Sequence, residues 1–217
     1  MKVLPVGLLV DGRLCVVIGG GVVAARKAAA LVEAGAVVRA VAPFFAEDFD
    51  ELAGVEMVKG RYELHHLEGA CLVIAATDES RTNLQAARDA RAAGALVNVV
   101  DTPQECDFIF PAVSRRGDIA VAVSTGGASP ALARHLRERI DGTVGDVYGE
   151  LASVLKSVRE RAIARLPQAA QRRKFFEGLA SDEFLALIEA EGREAALEEA
   201  WRRLDVAISR AHQESSA

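Results

Sequence analysis

The sequence predicts an α/β fold built on a Rossmann-like, doubly wound parallel sheet. Apolar strand-like runs alternate with helical stretches from residue 14 to about residue 101, and a glycine-rich turn follows the first run. Continuous apolar runs indicate strands that are buried on both faces, as in parallel sheets. We predict strands over 14–18, 37–42, 55–59, 72–76 and 96–100, and helices over 22–34, 46–52 and 83–93.

The glycine-rich turn has the spacing of a dinucleotide-binding site. Gly19 can adopt the positive φ of a tight turn, Gly21 lets the backbone approach a pyrophosphate, and Ala24 lets the helix lie close to the strand. A helix N-terminus also offers free N–H groups and a positive dipole to phosphates. The strand before the turn and the helix after it favour this interpretation over a purely structural turn. The predicted cofactor-binding residues here are Gly19, Gly20, Gly21, Val22 and Val23.

The end of the second strand usually distinguishes NAD from NADP, because an acid there accepts a hydrogen bond from the ribose 2′-OH. This strand ends at Ala42-Pro43-Phe44 and has no acid. We expect the backbone around Pro43 and Phe44 to hold the adenosine, and the sequence alone leaves NAD and NADP open. Arg39 is a candidate partner for a 2′-phosphate, although it lies several residues before the end of the strand.

Two acidic residues follow later strands, where the carboxyl ends face the predicted crevice. Asp101 can act as the acceptor of a substrate proton, with a pKa tuned by partial burial, or as a turn residue before Thr102-Pro103. Asp78 follows Thr77 after the fourth strand, and we interpret it as a helix-start residue rather than a catalyst. Thr77 and Asp78 are included among the predicted cofactor-binding residues.

A β-hairpin is predicted next, because two β-rich runs flank the turn-like stretch 115–118. Ser129 can cap a following helix that has Pro130 at its first position and runs to about Ile140. The loop before this helix either offers backbone N–H groups to an anion or is a simple turn. Its candidate substrate-binding residues are Ser124, Thr125 and Gly126.

The helix after this loop carries a basic stripe. Arg134 and Arg137 are spaced to share a face, His135 lies beside them, and Glu138 is placed to pair with Arg134. From residue 145 onward the pattern is helical and highly charged, with helices predicted over 146–166, 168–179, 182–191 and 194–211. The expected domains are 1–112, 113–147 and 148–217.

Composition narrows the functional classes. The net charge of −5 does not favour nucleic acid or an anionic membrane surface as a partner. No apolar run approaches the roughly 18 residues of a membrane span, and the N-terminus does not read as a signal peptide. The three cysteines, Cys15, Cys71 and Cys106, lack metal-ligand spacing, so we expect free thiols in a reducing cytoplasm and no metal site.

Five motifs occur in order at a characteristic spacing and extend over about residues 4–137. Together they resemble the precorrin-2 dehydrogenase / sirohydrochlorin ferrochelatase family, the dehydrogenase-chelatase part of sirohaem synthase. The motifs are Val17-Ile18-Gly19-Gly20-Gly21-Val22-Val23-Ala24-Ala25-Arg26-Lys27, Ala75-Ala76-Thr77-Asp78, Asn98-Val99-Val100-Asp101, Phe108-Ile109-Phe110-Pro111-Ala112 and Val121-Ala122-Val123-Ser124-Thr125-Gly126-Gly127-Ala128-Ser129-Pro130.

The resemblance implies NAD-dependent oxidation of precorrin-2 to sirohydrochlorin, a step in sirohaem or cobalamin synthesis. In some members Fe²⁺ or Co²⁺ insertion follows. Asp101 matches the aspartate in the family's active site, and the hairpin module implies a homodimer with an active site shared between subunits. Because the substrate carries many carboxylates, cationic anchors are needed. The candidates are Arg115, Arg116, Arg134, His135 and Arg137.

Two departures from the family pattern affect these expectations. The chain has 217 residues, so we expect no fused methyltransferase and a separate source of precorrin-2. The position that is a phosphorylated serine in some members is Thr125 here, which leaves that modification open. Chelatase activity, its metal and the pathway destination also stay open. The alternative functions are a non-catalytic NAD sensor and a tetrapyrrole carrier.

Overall fold

The computed structural model describes residues 2–215, and side chains as far as residue 213. These residues form two compact units. The sheet unit comprises Leu4–Phe110, and the helical unit comprises residues 111–215 together with residues 2 and 3. The three-part division expected from the sequence stays a prediction.

The sheet unit is a Rossmann-like α/β domain, as predicted. Within the described residues its parallel sheet has five strands in the order β3-β2-β1-β4-β5, so the strand order reverses between β1 and β4. The strands are β1 (Leu14–Ile18), β2 (Val37–Ala42), β3 (Val55–Lys59), β4 (Leu72–Ala75) and β5 (Leu96–Val99), and the helices are α1 (Val22–Glu33) and α2 (Ser80–Ala92).

Small and aliphatic side chains build the core on both faces of the sheet. On one face Ala24 and Ala28 of α1 are completely buried against Val17, and on the other Ala86 and Ala90 of α2 are completely buried beneath β4 and β5. Alanine side chains let both helices approach the sheet closely. This packing fixes the start of α1 beside the carboxyl end of β1.

Two predicted helices differ from the structure. The stretch predicted as a helix over 46–52 forms only a 3₁₀ turn, Glu47–Phe49, because burial of Phe49 and the bond from the Ala46 amide to the Gly20 carbonyl (2.7 Å) hold the chain at the sheet. The second helix begins at Ser80 rather than at residue 83, since Asn83 lies within its first turn.

The free edge of β5 is covered by the chain that follows it. The Val97 amide donates to the Asp107 carboxylate (2.9 Å), and the Asp107 amide donates to the Val97 carbonyl (2.8 Å). Cys106 Sγ accepts from the Val99 amide at 3.2 Å. Edge strands with unpaired amides invite aggregation, so this segment protects the sheet.

The helical unit begins with the predicted hairpin, formed by the antiparallel strands β6 (Ala112–Arg116) and β7 (Ile119–Val123). The helices that follow are α3 (Pro130–Thr143), α4 (Asp146–Arg165), α5 (Ala169–Leu179) and α6 (Asp182–Ser215). Gly192 has a non-helical φ of 85° inside α6, which agrees with the two helices predicted on either side of it. Among the described residues, no helix is long and apolar enough to cross a membrane.

Glu199 on α6 makes the stability of the helical unit depend on pH. Hydrogen bonds from Arg202 and then Arg203 lower the pKa of Glu199 from 4.5 to about 2. A carboxyl group whose pKa is lower in the folded state stabilises the fold above its unfolded pKa, and loses that contribution as the pH falls. We therefore expect melting temperature to fall less between pH 5 and pH 2.5 in Glu199→Gln than in the parent protein. An equal fall in melting temperature between pH 5 and pH 2.5 for both proteins would contradict the lowered pKa of Glu199.

Candidate nucleotide-binding and catalytic site

Gly19 lies where three strands of the sheet meet. Its φ of 131° is accessible almost only to glycine, and its amide donates to the Val41 carbonyl of β2 at 2.9 Å. A Cβ atom at Gly19 would overlap the carbonyl oxygen of Ala76, at the end of β4. Both features confirm that this position requires glycine for a tight turn at the point where the strand order reverses.

The next two glycines have different surroundings. A Cβ atom at Gly20 would overlap the Phe44 carbonyl and lie 2.7 Å from Cβ of Ala42, so Gly20 permits the close approach of the β2–β3 loop. A Cβ atom at Gly21 would have no neighbour within 4 Å, and the backbone there has an ordinary φ of −82°. Gly21 therefore leaves space for a ligand rather than for another part of the chain.

The N-terminus of α1 has the properties of a phosphate site. Gly21 is the N-cap residue and provides no side-chain cap, and the first turn contains no acidic residue. The first amides of a helix have no partner within the helix, and the dipole adds positive potential there. Val22 and Val23 are 60% and 39% exposed, so this turn is accessible from solvent. The residues present therefore fit the pyrophosphate of a dinucleotide.

Asn83 positions the loop after β4, and sequence reasoning missed it. Its side-chain amide donates to the Thr77 carbonyl (2.8 Å), while its oxygen accepts from the Thr77 amide (3.0 Å) and hydroxyl (2.7 Å). A buried asparagine in the first turn of a helix is the signal that could have identified it. Asp78 is exposed and precedes the N-cap residue Glu79, so its predicted role as the start of the helix is wrong.

Replacing Asn83 by leucine tests this arrangement. We expect Asn83→Leu to lower the free energy of unfolding by about 2–3 kcal/mol, because the amide and carbonyl of Thr77 lose their partner in a partly buried place. Gln85→Leu on the exposed face of α2 is the matched control and should change stability by less than about 0.5 kcal/mol. Urea unfolding of both variants provides the measurement, and equal losses would show that the Thr77 loop does not depend on Asn83.

Asp101 lies just after β5, at the same edge of the sheet as the glycine turn. Its φ of 58° is the left-handed conformation, which asparagine and aspartate adopt more readily than other non-glycine residues. The neighbouring Val100 amide still bonds to the Ala75 carbonyl of β4 (2.9 Å). Asp101 is exposed, so the partial burial expected for it is wrong, and within the described residues no hydrogen bond or ion pair holds its carboxylate. This group is therefore available to a bound substrate.

The residues at the end of β2 are accessible. Pro43 is exposed, and Phe44 is 86% exposed beside the glycine turn, so both stay available for an adenosine group. Arg39 is engaged elsewhere: it donates to Glu56 of β3 (2.9 Å) and to the His66 carbonyl (3.1 Å). The structure therefore does not support Arg39 as the partner of a 2′-phosphate.

The loop before α3 in the helical unit is closed by its own hydroxyl groups. The Thr125 hydroxyl donates to the Ser129 carbonyl (3.1 Å) and accepts from the Ser129 amide (3.2 Å). Ser129 caps α3 by accepting from the Leu132 amide, as predicted. Ser124 accepts from the Gly126 amide at 3.3 Å. Thr125 thus has a structural role in this loop.

Two of the predicted cationic anchors are engaged in ion pairs within the helical unit. Guanidinium nitrogens of Arg116 lie 3.1 Å from a carboxylate oxygen of Asp146 and 3.5 Å from one of Asp141. A guanidinium nitrogen of Arg137 lies 3.6 Å from the other carboxylate oxygen of Asp141. Glu138 pairs with Arg137 at 3.4 Å, so the predicted pair with Arg134 is wrong. The reason is that Arg137 lies on the half-buried face of α3, one turn before Asp141, whereas Arg134 is exposed. Arg115 and His135 are exposed as well.

No group of three or more His, Cys, Asp or Glu residues in the described part of the chain is arranged to hold a metal ion. Cys15, Cys71 and Cys106 are free thiols. Burial, followed by the neighbouring Cys71, raises the pKa of Cys15 to about 12. At neutral pH this thiol is protonated and is a poor metal ligand.

Comparisons with known proteins agree with this geometry. A family model described as NAD(P)-binding matches residues 6–112, and one for the central region of a sirohaem biosynthesis protein matches residues 116–143. A third, described as the sirohaem synthase dimerisation region, matches residues 147–204. The fold and the glycine turn thus define an NAD(P)-binding protein. More particularly, the chain belongs to the sirohaem synthase family and corresponds to the N-terminal part of those proteins.

Individual relatives support this assignment. The sirohaem synthase of Ectopseudomonas mendocina is 44% identical over 178 residues, which are 82% of this chain and 38% of the relative. That of Nitrosospira multiformis is 40% identical over 208 residues, 93% of this chain and 44% of the relative. The chain thus spans about two fifths of their length. The structure of SirC, precorrin-2 dehydrogenase, has the same fold, with a TM-score of 0.72 over 92% of this chain and all of that chain, at 21% identity.

Proposed function

We propose that the chain oxidises precorrin-2 to sirohydrochlorin with NAD⁺ as the hydride acceptor. The observation that carries this proposal is that the open Gly21 turn and the unpaired Asp101 carboxylate lie at the carboxyl edge of the sheet, at the ends of β1 and β5. Family membership supplies the substrate. A sensor would need the glycine turn alone, and a tetrapyrrole carrier would not need a dinucleotide site.

The residues at the carboxyl edge of the sheet have separate roles in this reaction. The amides at the start of α1 hold the pyrophosphate, and Asn83 fixes the Thr77 loop on the other side of the reversal point. Bound NAD⁺ supplies the hydride acceptor. Asp101 accepts the proton that the reduced macrocycle loses together with the hydride, so the macrocycle gains one double bond and NADH and the protonated carboxyl group result.

The carboxylates of precorrin-2 need cations, and we propose Arg115, Arg134 and His135 of the helical unit for that role. All three are exposed. Arg116 and Arg137 are half-buried, so they are less accessible and stay weaker candidates. Ser124, Thr125 and Gly126 stay proposals for the same surface.

We further propose that iron insertion into sirohydrochlorin is a second activity. The relatives named sirohaem synthase support it, since sirohaem contains iron. The metal is a substrate here, and the macrocycle nitrogens rather than a protein cluster would bind it. Asp101 is available to accept the two protons that the pyrrole nitrogens release, one after the other, and passes the first to solvent before it accepts the second.

An anaerobic assay tests both activities. Purified protein is mixed with enzymatically prepared precorrin-2 and NAD⁺, with NADP⁺ in parallel, while NADH and sirohydrochlorin absorbance are followed. Equal amounts of both products would establish the dehydrogenase, and Fe²⁺ or Co²⁺ added afterwards would test chelation. Folded protein without turnover on either cofactor would contradict the dehydrogenase and favour a chelatase, carrier or sensor.

We also propose a homodimer in the cytoplasm. The match of residues 147–204 to the sirohaem synthase dimerisation region supports the dimer, and the three free thiols are compatible with a reducing compartment. We expect light scattering after size-exclusion chromatography to give the mass of two chains. A mass of one chain at all protein concentrations would exclude the dimer.

A further inference from the structure

The helical unit contains a cleft between α5 and α6 that the proposed function does not use. Its volume is about 360 Å³. Helix α5 contributes Lys174, Phe175 and Gly178, and α6 contributes Val206 and Arg210. Residues three or four positions apart lie on one face of a helix, so each helix presents a continuous strip to the cleft.

The inner surface of the cleft is apolar. Phe175 and Ala211 are 8% and 4% exposed and belong to the core of the helical unit, so they form a rigid floor. Val206 remains 42% exposed, Ala207 has only a methyl group and Gly178 has no side chain, so the space between the helices is not filled. A cleft of this volume is at the lower end of the range of small-molecule sites, roughly 300–1,000 Å³.

The rim of the cleft is positively charged. Glu199 accepts hydrogen bonds from Arg202 (2.6 Å) and Arg203 (2.7 Å), and Glu183 accepts from Arg203 at 2.9 Å. These two carboxylates therefore compensate the two arginines. Lys174 and Arg210 have no carboxylate partner among the side chains that the structure describes. Two positive charges are left next to an apolar floor.

We propose that this cleft binds an amphipathic organic anion with one or two aromatic ring systems. The apolar body lies against Phe175, Val206 and Ala207, and the anionic group faces Lys174 and Arg210. Charge complementarity and the volume of the cleft support this ligand class. Since part of the cleft falls within the residues matched to a dimerisation region, a second copy of the chain is the competing occupant.

A matched pair of fluorescent probes tests the proposal on the full chain. The anionic probe is 8-anilinonaphthalene-1-sulfonate, and N-phenyl-1-naphthylamine has the same rings without the sulfonate. We expect saturable binding of the anionic probe at one site per chain, tighter than that of the neutral probe. Lys174→Gln/Arg210→Gln should weaken binding of the anionic probe about tenfold, since exposed ion pairs contribute up to ~1 kcal/mol each, and leave the neutral probe unaffected.

Two controls make the result specific. Arg165→Gln/Arg193→Gln removes the same charge from exposed positions elsewhere in the helical unit and should bind both probes like the parent protein. Ala207→Phe fills the cleft and should abolish binding of both probes, and circular dichroism checks that this variant folds. If Ala207→Phe does not fold, the comparison of Lys174→Gln/Arg210→Gln with the parent protein still tests the proposal.

Three results would overturn the proposal. Equal affinity for the two probes would show that no anion is recognised. Equal affinity of the two charge-removing variants for the anionic probe would place its site elsewhere. Conversion of a dimer to a monomer by Lys174→Gln/Arg210→Gln, seen by sedimentation, would show that a second copy occupies the cleft.

Discussion

Replacing Asp101 by asparagine is expected to slow precorrin-2 oxidation by about 10²–10⁴-fold, the usual contribution of a positioned general base. The amide cannot accept the substrate proton, whereas the glycine turn proposed to bind NAD⁺ is unchanged. Turnover is measured as NADH formation under anaerobic conditions, and NAD⁺ affinity by calorimetry. We expect a loss of kcat without a loss of NAD⁺ affinity.

The choice of asparagine follows from the backbone. Asp101 has a φ of 58°, which asparagine tolerates, so the turn is preserved. Alanine at this position would add about 1–2 kcal/mol of backbone strain. A loss of activity in that variant could then come from a loss of stability rather than from the missing carboxylate. Asp50→Asn, at an exposed position before β3, is the control and should retain full activity. Unchanged turnover in Asp101→Asn would show that the left-handed aspartate serves the turn alone.

Replacing Gly19 by alanine is expected to have the largest effect on stability, a loss of about 3 kcal/mol or more. The φ of 131° excludes alanine, and the added Cβ would overlap the Ala76 carbonyl. That carbonyl is backbone at the end of β4, so it cannot move without disturbing the pairing of β1 with β4. Urea unfolding is the measurement.

Gly21→Ala separates ligand binding from folding. Because Gly21 has an ordinary φ and an open neighbourhood, its stability should change by no more than about 1 kcal/mol. The added methyl group would occupy the space proposed for the pyrophosphate, so we expect NAD⁺ affinity to fall about tenfold or more, as a displaced phosphate contact requires. Parent-like NAD⁺ affinity in this variant would contradict the approach of the pyrophosphate to Gly21. A loss of stability equal to that of Gly19→Ala would show that both glycines serve the turn.

Much of the sheet unit follows from local sequence pattern. The runs 14–18, 37–42 and 55–59 become strands with the predicted bounds. Continuous aliphatic residues bury β1 on both faces of the sheet, whereas β3 lies at the edge of the sheet and has no buried residue, so the burial expected for β3 is wrong. The Ser129 cap depends on neighbours within a few residues and is found as expected. The positive φ of Gly19 is also found as expected, although the contacts that require glycine there come from Val41 and Ala76. The stretch 46–52 was harder to predict, because its conformation depends on where Phe49 and Ala46 meet the rest of the sheet.

In the candidate site, too, some residues could be predicted from the sequence and others depend on contacts between distant parts of the chain. Its glycines and Asp101 could be located because the carboxyl ends of parallel strands meet at one edge. Asn83 was missed, since its bonds to Thr77 form only when α2 packs beside β4. Arg39 was predicted as a candidate partner for a 2′-phosphate. In the structure it donates a hydrogen bond to Glu56 on the neighbouring strand β3, seventeen positions further along the chain.

The sequence by itself thus determined the fold class, the position of the glycine turn and the presence of an aspartate at the same edge of the sheet. These features depend on hydrophobic periodicity and on backbone conformations that particular residues favour or exclude. Only the tertiary structure decided which charged and polar side chains are occupied, as for Arg116 and Arg137 with Asp141, and which stay available to a ligand. The physical reason is that ion pairs and hydrogen bonds act over a few ångströms, and packing brings together partners that are far apart in the chain.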